Sequence, residues 1–381
     1  MNLLISAGEA SGDLHAARLL AALKRARPDL TAFGMGGERL EAAGLERVVA
    51  SEELSVVGIS EVVEKLPALR RALGRLGAEA RRRRPDAAIL VDFPDFHVLL
   101  ARRLRRAGVP IVDYVPPQVW AWRRWRARAI ARRARRIITL FGFETEIYRR
   151  LGGDAVWAGH PLVDDVREGL AAPSPLPPKT RRRLVLLPGS RSAELERHWP
   201  AMSDAAERLA RRFDLEVVAV RAPHLPESVL GGAERRGIAV ATTGLHPLLA
   251  SADLAFVASG TATLEAALCG APMVVVYKTS TLTYAVARAL VRLDHVSLVN
   301  IVAGREVVPE LLQGRLTAGE LERAGEAILV SPERAATMRA GLARVAAALG
   351  PPGGSERAAE QVLAALTAAR DREPAGLRAA R

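Results

Sequence analysis

A chain of 381 residues and 40.9 kDa is longer than one hydrophobic core ordinarily serves, so two domains are expected. With 49% hydrophobic and 25% charged residues it has ample apolar surface to bury, which excludes a disordered or fibrous protein. A single cysteine, Cys269, excludes a disulfide framework and a multi-thiolate metal site. The net charge of +13 is uneven: positions 61–150 hold 22 Lys or Arg against 9 Asp or Glu, and the remainder balances. Such a basic half points to a polyanionic partner, whether nucleic acid, anionic headgroups or a phosphorylated substrate. Only four of the cations are lysines, at 24, 65, 179 and 278, so arginine abundance is not by itself read as nucleic-acid recognition.

In chain order, Met1-Asn2-Leu3-Leu4-Ile5-Ser6 lacks a basic n-region and reads as a first strand, not a signal peptide. Charges interrupt every apolar run before it reaches membrane-spanning length, so a cytosolic chain is expected. Short apolar runs then alternate with helical patterns, the signature of a parallel sheet wrapped by helices. Strands are predicted at Leu3–Ala7, Thr31–Met35, Ala87–Phe93, Pro110–Val115, Ile137–Phe141 and Ala155–Ala158. A second series is predicted at Leu184–Leu187, Glu216–Val220, Ile238–Ala241, Leu254–Ala258 and Met273–Tyr277. Between them, Ala171-Ala172-Pro173-Ser174-Pro175-Leu176-Pro177-Pro178 reads as an extended linker. The fold class is α/β: two doubly wound, Rossmann-like domains facing a cleft, at 1–170 and 183–345, followed by C-terminal helices at 346–381.

In open α/β sheets chemistry collects where strands end and helices begin. After the first strand comes Gly8-Glu9-Ala10-Ser11-Gly12-Asp13, whose spacing is not that of a dinucleotide-binding loop. Ser11 or Asp13 could cap the helix, and Glu9 could bind sugar hydroxyls. In Val91-Asp92-Phe93-Pro94-Asp95-Phe96-His97, Asp95 is placed to cap a helix beginning near Phe96, leaving Asp92 on the strand as the candidate general base. His97 could serve as base in its place, but a lone histidine near a helix start is more often merely exposed. Trp120, Trp122 and Trp125 lie among a run of arginines and suggest a binding wall, or a surface that stacks nucleic-acid bases. In the second half, Gly189, Ser190 and Arg191 follow a buried strand and suit a diphosphate. Ser259, Gly260 and Thr261 repeat the arrangement, with Glu265 placed to complement the helix dipole or to hold ribose hydroxyls.

Taken together, Gly8–Asp13, Tyr114-Val115-Pro116-Pro117-Gln118-Val119-Trp120-Ala121-Trp122-Arg123, Gly159-His160-Pro161, Leu187-Pro188-Gly189-Ser190-Arg191, Ser259-Gly260-Thr261, Val296-Ser297-Leu298-Val299-Asn300 and Ala303-Gly304-Arg305-Glu306 resemble the lipid-A-disaccharide synthase family. The resemblance covers most of the chain and implies an inverting glycosyltransferase of the GT-B fold, with the C-terminal helices at 346–381 crossing back to the first domain. It implies UDP-2,3-diacylglucosamine as donor and 2,3-diacylglucosamine 1-phosphate as acceptor, joined β(1→6) with release of UDP. It also implies Asp92 as catalytic base with Glu9 beside it. UDP would lie on Gly189, Ser190, Arg191, Ser259, Gly260, Thr261 and Glu265, with Asn300 lining the cleft. No metal and no cofactor are expected. The chain departs from the family at Val299, where Pro is common, and at His97, where Asn is frequent.

The expected location is the cytoplasmic face of the inner membrane, held peripherally on an anionic surface, with a homodimer left open and no nucleic acid as partner. Val56, Val57, Ile59, Val62, Val63, Leu66, Leu69, Leu73 and Leu76, interleaved with Lys65, Arg70, Arg71 and Arg75, form a stripe that either packs on the sheet or docks on lipid, and Pro67 is expected to kink it. The nearest alternatives are another UDP-sugar enzyme of the same fold, a peptidoglycan N-acetylglucosaminyltransferase or an epimerase, and, from another class, a nucleic-acid-binding protein.

Overall fold

The computed structural model describes residues 1–54, 66–120, 125–174, 179–280, 284 and 294–372. They form two compact units: Met1–Pro161 together with the segment from Pro351 onward, and Leu162–Gly350. The first unit carries strands β1 (Asn2–Ala7), β2 (Thr31–Gly36), β3 (Glu46–Ala50), β4 (Ala87–Val91), β5 (Ile111–Tyr114), β6 (Arg136–Thr139) and β7 (Ala155–Trp157). They pair in the order β3-β2-β1-β4-β5-β6-β7, all parallel. The central strands are buried along their length because helices cover both faces, which is why they read as unbroken apolar runs.

Two strands absent from the sequence reading, β3 and β13 (Glu310–Leu312), stand at sheet edges. An edge strand tolerates charge and brevity, so Glu46-Arg47-Val48-Val49-Ala50 and a three-residue strand carry no distinctive apolar pattern. In the helix Leu66–Arg83, Ala72, Leu73, Leu76 and Ala80 join the core with Leu4, Phe33, Leu90 and Leu100, while Arg70, Arg71 and Arg75 are exposed. The C-terminal part of the predicted stripe is therefore core, and Val56 to Val63 lie outside the described residues. Pro67 is the second residue of this helix as described, and the residues ahead of it, on which the expected kink depends, lie outside the described residues.

Under the sheet, Arg133 meets Asp113 through two hydrogen bonds of 2.8 and 3.2 Å, with both side chains buried. The helix Gly354–Arg372 belongs to this unit and packs on the helix Ala10–Ala26; Arg357 Nε donates to the Ala158 carbonyl at 2.8 Å and Arg135 Nε to that of Ala365 at 2.8 Å.

The second unit orders its strands β10-β9-β8-β11-β12-β13, again parallel, with β8 at Arg183–Leu187, β9 at Glu216–Val220, β10 at Ile238–Ala241, β11 at Leu254–Ala258 and β12 at Met273–Tyr277. The helix Leu162–Ala171 packs on the helices Leu245–Ala250 and Thr261–Leu268, so the chain leaves the first unit at Pro161, ahead of the proline-rich segment; residues 175–178 lie outside the described residues. Each sheet reverses its strand order once, between β1 and β4 and between β8 and β11. These are the switch points at which doubly wound sheets open a crevice for ligands.

Replacing Arg133 by Leu leaves the Asp113 carboxylate buried without its partner, and we expect a loss of about 3–5 kcal/mol in chemical denaturation. Arg133→Leu with Asp113→Leu should recover most of it. A single variant as stable as the wild type would show that the pair is not held as described.

Candidate functional site

Register places Ala7 opposite Val91, so the turns leaving β1 and β4 start side by side. The sequence reading continued β4 through Phe93, but the strand stops at Val91: Asp92 and Phe93 both take left-handed backbone conformations, with φ of 51° and 61°. Such a conformation costs on the order of 1–3 kcal/mol for a non-glycine residue and persists only where its surroundings impose it. Here they do. The Phe93 ring lies over Gly8, where a Cβ would come within 2.1 Å of it, and stacks on Phe96 with centroids 5.3 Å apart. The Gly8 position is thus explained by the approach of Phe93, whereas a Cβ at Gly12 would make only an ordinary contact with that of Asp92, at 3.4 Å.

Asp92 Oδ1 accepts from the Phe93 N–H at 2.9 Å, and the Asp92 N–H donates to the Val115 carbonyl at 3.3 Å. Burial, then the negative charge of Glu9, push the Asp92 carboxyl up to about 6, against the opposing pull of the Phe93 N–H. Glu9 is exposed at the start of the helix Ala10–Ala26 and makes no side-chain capping bond. Asp13 does not cap its own helix: it is buried and accepts from the N–H groups of Gly37 (2.7 Å) and Arg39 (3.1 Å).

Two expectations here are overturned. Asp95 is not a cap; it stands in the first turn of the helix Pro94–Arg106 and pairs with Arg126. His97 is not exposed but buried, with Nε2 2.9 Å from Ser6 Oγ. A hydrogen bond to the Asp92 backbone favours its protonated form, so the ring donates to that carbonyl, yet burial holds its pKa down at about 3. The neutral ring therefore accepts from the Ser6 hydroxyl and braces the left-handed turn. Nothing local marks this role in the sequence, since it depends on Ser6 of another strand.

Of the tryptophans expected to form a binding wall, Trp120 and Trp125 fall among the described residues. Trp120 Nε1 donates to Glu144 Oε1 at 2.9 Å and its ring meets Phe143 edge-on at 5.5 Å, while Trp125, Phe143 and Trp157 are exposed. Trp122 lies outside the described residues.

In the second unit, Leu187 of β8 pairs with Val257 of β11, so the two glycine turns also leave neighbouring strands. Gly189, at φ 132°, and Gly260, at φ 152°, take conformations that other residues resist. Ser190 and Arg191 are exposed ahead of the helix Ser192–Phe213; Glu194 accepts from the Ser190 N–H at 3.1 Å and pairs with Arg191 at 2.9 Å. Ser259 Oγ donates to the Val296 carbonyl at 3.2 Å, and Thr261 is exposed at the start of its helix. Glu265 meets His246 Nε2 at 3.1 Å.

Asn300 has a use other than the one expected. It is fully buried: Nδ2 donates to the Val308 carbonyl (2.9 Å) and Glu310 Oε1 (2.8 Å), and Oδ1 accepts from Val307 (2.7 Å) and Val308 (3.1 Å). Its amide is consumed in holding the loop before β13, which leaves it none for a sugar.

A family model described as lipid-A-disaccharide synthetase matches residues 3–364. The lipid-A-disaccharide synthase of Anaeromyxobacter dehalogenans (strain 2CP-1) is 45% identical over 372 residues, covering 96% of this chain and 97% of that protein. That of Geobacter sulfurreducens is 40% identical, again over 96% of this chain and 97% of the other. Among solved structures, a calicheamicin glycosyltransferase (TM-score 0.65, 16% identity, 96% and 98% of the two chains) and a Listeria monocytogenes UDP-N-acetylglucosamine 2-epimerase described as putative (TM-score 0.65, 16% identity, 98% and 97%) share the fold.

The Asp92 carboxyl should titrate near pH 6 in ¹³C NMR of chains labelled at aspartate. Because the Glu9 charge raises this midpoint, Glu9→Gln should lower it toward the ordinary carboxylate range. A wild-type midpoint near 4, or an upward move in Glu9→Gln, would contradict the coupling.

Proposed function

The chain belongs to the lipid-A-disaccharide synthase family, and we propose that its first unit deprotonates the acceptor sugar while its second holds the UDP of the donor. The enzyme is a glycosyltransferase of the GT-B fold. The proposed reaction joins UDP-2,3-diacylglucosamine to 2,3-diacylglucosamine 1-phosphate. The acceptor 6-hydroxyl oxygen attacks the anomeric carbon from the face opposite UDP, its proton passes to Asp92, and the bond from that carbon to UDP breaks with its electron pair. Attack from the opposite face inverts the centre and yields the β(1→6) disaccharide.

One observation carries this reading: a carboxylate at the carboxyl edge of the sheet, at its switch point, whose pKa of about 6 keeps it ionised at neutral pH yet basic enough to receive a proton. Its second oxygen, Oδ2, has no hydrogen-bond donor among the described residues. Glu9 raises the basicity of Asp92 through its charge. In the second unit, the N–H groups after Gly260, with the exposed Arg191, would meet the charge that gathers on the leaving diphosphate.

Lipid substrates call for access to a bilayer. No helix among the described residues is long and apolar enough to cross one. The reading favoured by charge is peripheral docking on the anionic cytoplasmic leaflet, supported by the basic surplus of positions 61–150 and by the exposed Arg70, Arg71 and Arg75.

Asp92→Asn should lower kcat by roughly two to four orders of magnitude while UDP affinity stays near normal. Saturating substrates and a disaccharide assay measure this, and a near-normal kcat would remove Asp92 from the mechanism. For docking, changing Arg70, Arg71 and Arg75 to Gln should weaken co-sedimentation with phosphatidylglycerol vesicles by on the order of a hundredfold, at about 1 kcal/mol per charge. Unchanged partition in a well-folded variant would sink the docking surface.

A further inference from the structure

His198 sits in the helix Ser192–Phe213, 1% exposed, and neither ring nitrogen faces solvent. Nδ1 is 2.8 Å from the Pro188 carbonyl oxygen, and the Lys278 backbone N–H donates to Nε2 at 2.9 Å. A carbonyl can only accept and a backbone amide can only donate, so one tautomer serves both: the proton on Nδ1, the lone pair on Nε2. Burial lowers the ring's pKa and so favours this neutral form.

The two backbones it joins are the exits of β8 and β12, strands that are not neighbours, since β11 lies between them. The exit of β11 is drawn into the same row, because Ser259 N–H donates to the Val276 carbonyl of β12 at 2.8 Å. Lys278 is thereby set one imidazole away from the turn that carries Gly189, Ser190 and Arg191.

Charge gives this placement a consequence. Arg191 is paired with Glu194, whose carboxylate also takes the Ser190 N–H, so the positive charge of that turn is largely compensated. Lys278, one of four lysines in the chain, is exposed and has no acidic partner among the described residues. We propose that Lys278 is a further contact for the diphosphate of the nucleotide and that His198 is the positioning residue that sets it there. The assignment rests on the reading that UDP lies on this sheet edge.

Calorimetry on the full chain with UDP and with uridine tests it. Lys278→Met should weaken UDP by about ten- to a hundredfold, the worth of a charge-assisted contact, while uridine changes less than about twofold. Lys278→Arg should recover most of the loss. His198→Asn retains a donor for Pro188 but does not reach the Lys278 N–H, so it should show the same UDP-selective loss in a chain that still unfolds cooperatively, at a lowered melting temperature. Adding Lys278→Met to it should cost less than Lys278→Met does alone.

Lys278→Met that binds UDP as the wild type does, or that loses UDP and uridine equally, overturns the Lys278 assignment. Additive losses overturn the positioning by His198. If Arg191→Ala loses UDP selectively while Lys278→Met does not, the proposal falls and the nucleotide reading stands. A wild-type chain without UDP affinity overturns both.

Discussion

The packing of the Phe93 ring against Gly8 is the contact on which the rest of the first site depends. Two consecutive non-glycine residues in left-handed conformation are costly; the short side chain of Asp92 hydrogen-bonds the following N–H, but phenylalanine has no polar group to do the same. The ring's burial over Gly8 and against Phe96 offsets that cost, and Pro94 at the next position commits the chain to the helix. With the turn held in this way, Asp92 leaves the strand while still hydrogen-bonded to Val115, and its carboxylate stays at the sheet edge. Any side chain at position 8 would displace the ring and with it the turn.

The second unit reaches a comparable end by other means. There the turns themselves contain the glycines, at positive φ, and no bulky ring among the described residues closes over them. The difference follows from what each edge is proposed to hold. A general base needs a fixed carboxylate in a partly desolvated place, whereas a diphosphate needs open N–H groups and mobile cations. One topology, a parallel sheet with a single reversal of strand order, supports both because it delivers strand ends in adjacent pairs and leaves their loops free to differ.

What was legible in the sequence follows from burial. Strands such as Leu3–Ala7 and Leu254–Ala258 announce themselves because both faces are covered and each position must be apolar. The edge strands β3 and β13 lack that requirement, and were missed. The turns bearing Asp92, Gly189 and Gly260 are legible because each follows an apolar strand and breaks it with Asp, Gly or Pro. The conformation of Asp92-Phe93 was not legible, since it is imposed by Gly8 from another strand. Asn300, His97 and His198 were misjudged or overlooked for one reason: a buried polar side chain takes its role from partners distant in sequence, such as Glu310 or Ser6 or Lys278, and no local pattern records them.

Burial also separates two carboxyls that a search for shifted acidities would confuse. Glu144 is pushed up to about 7 and Asp92 to about 6, so by acidity alone Glu144 is the better poised base. Hydrogen bonding reverses the ranking. Both Glu144 oxygens are engaged, Oε1 by Trp120 Nε1 and Oε2 by the Phe141 N–H at 3.3 Å, and the side chain is buried. Its charge is enclosed where it can order the aromatic wall but cannot meet a hydroxyl. Asp92 is only partly buried and keeps Oδ2 unengaged among the described residues. Beside it His97 is neutral, held by burial at about 3. The frame that holds the turn therefore keeps one protonation state over the pH range in which Asp92 gains or loses its proton. A base that must exchange a proton at each turnover is served by surroundings that do not exchange theirs.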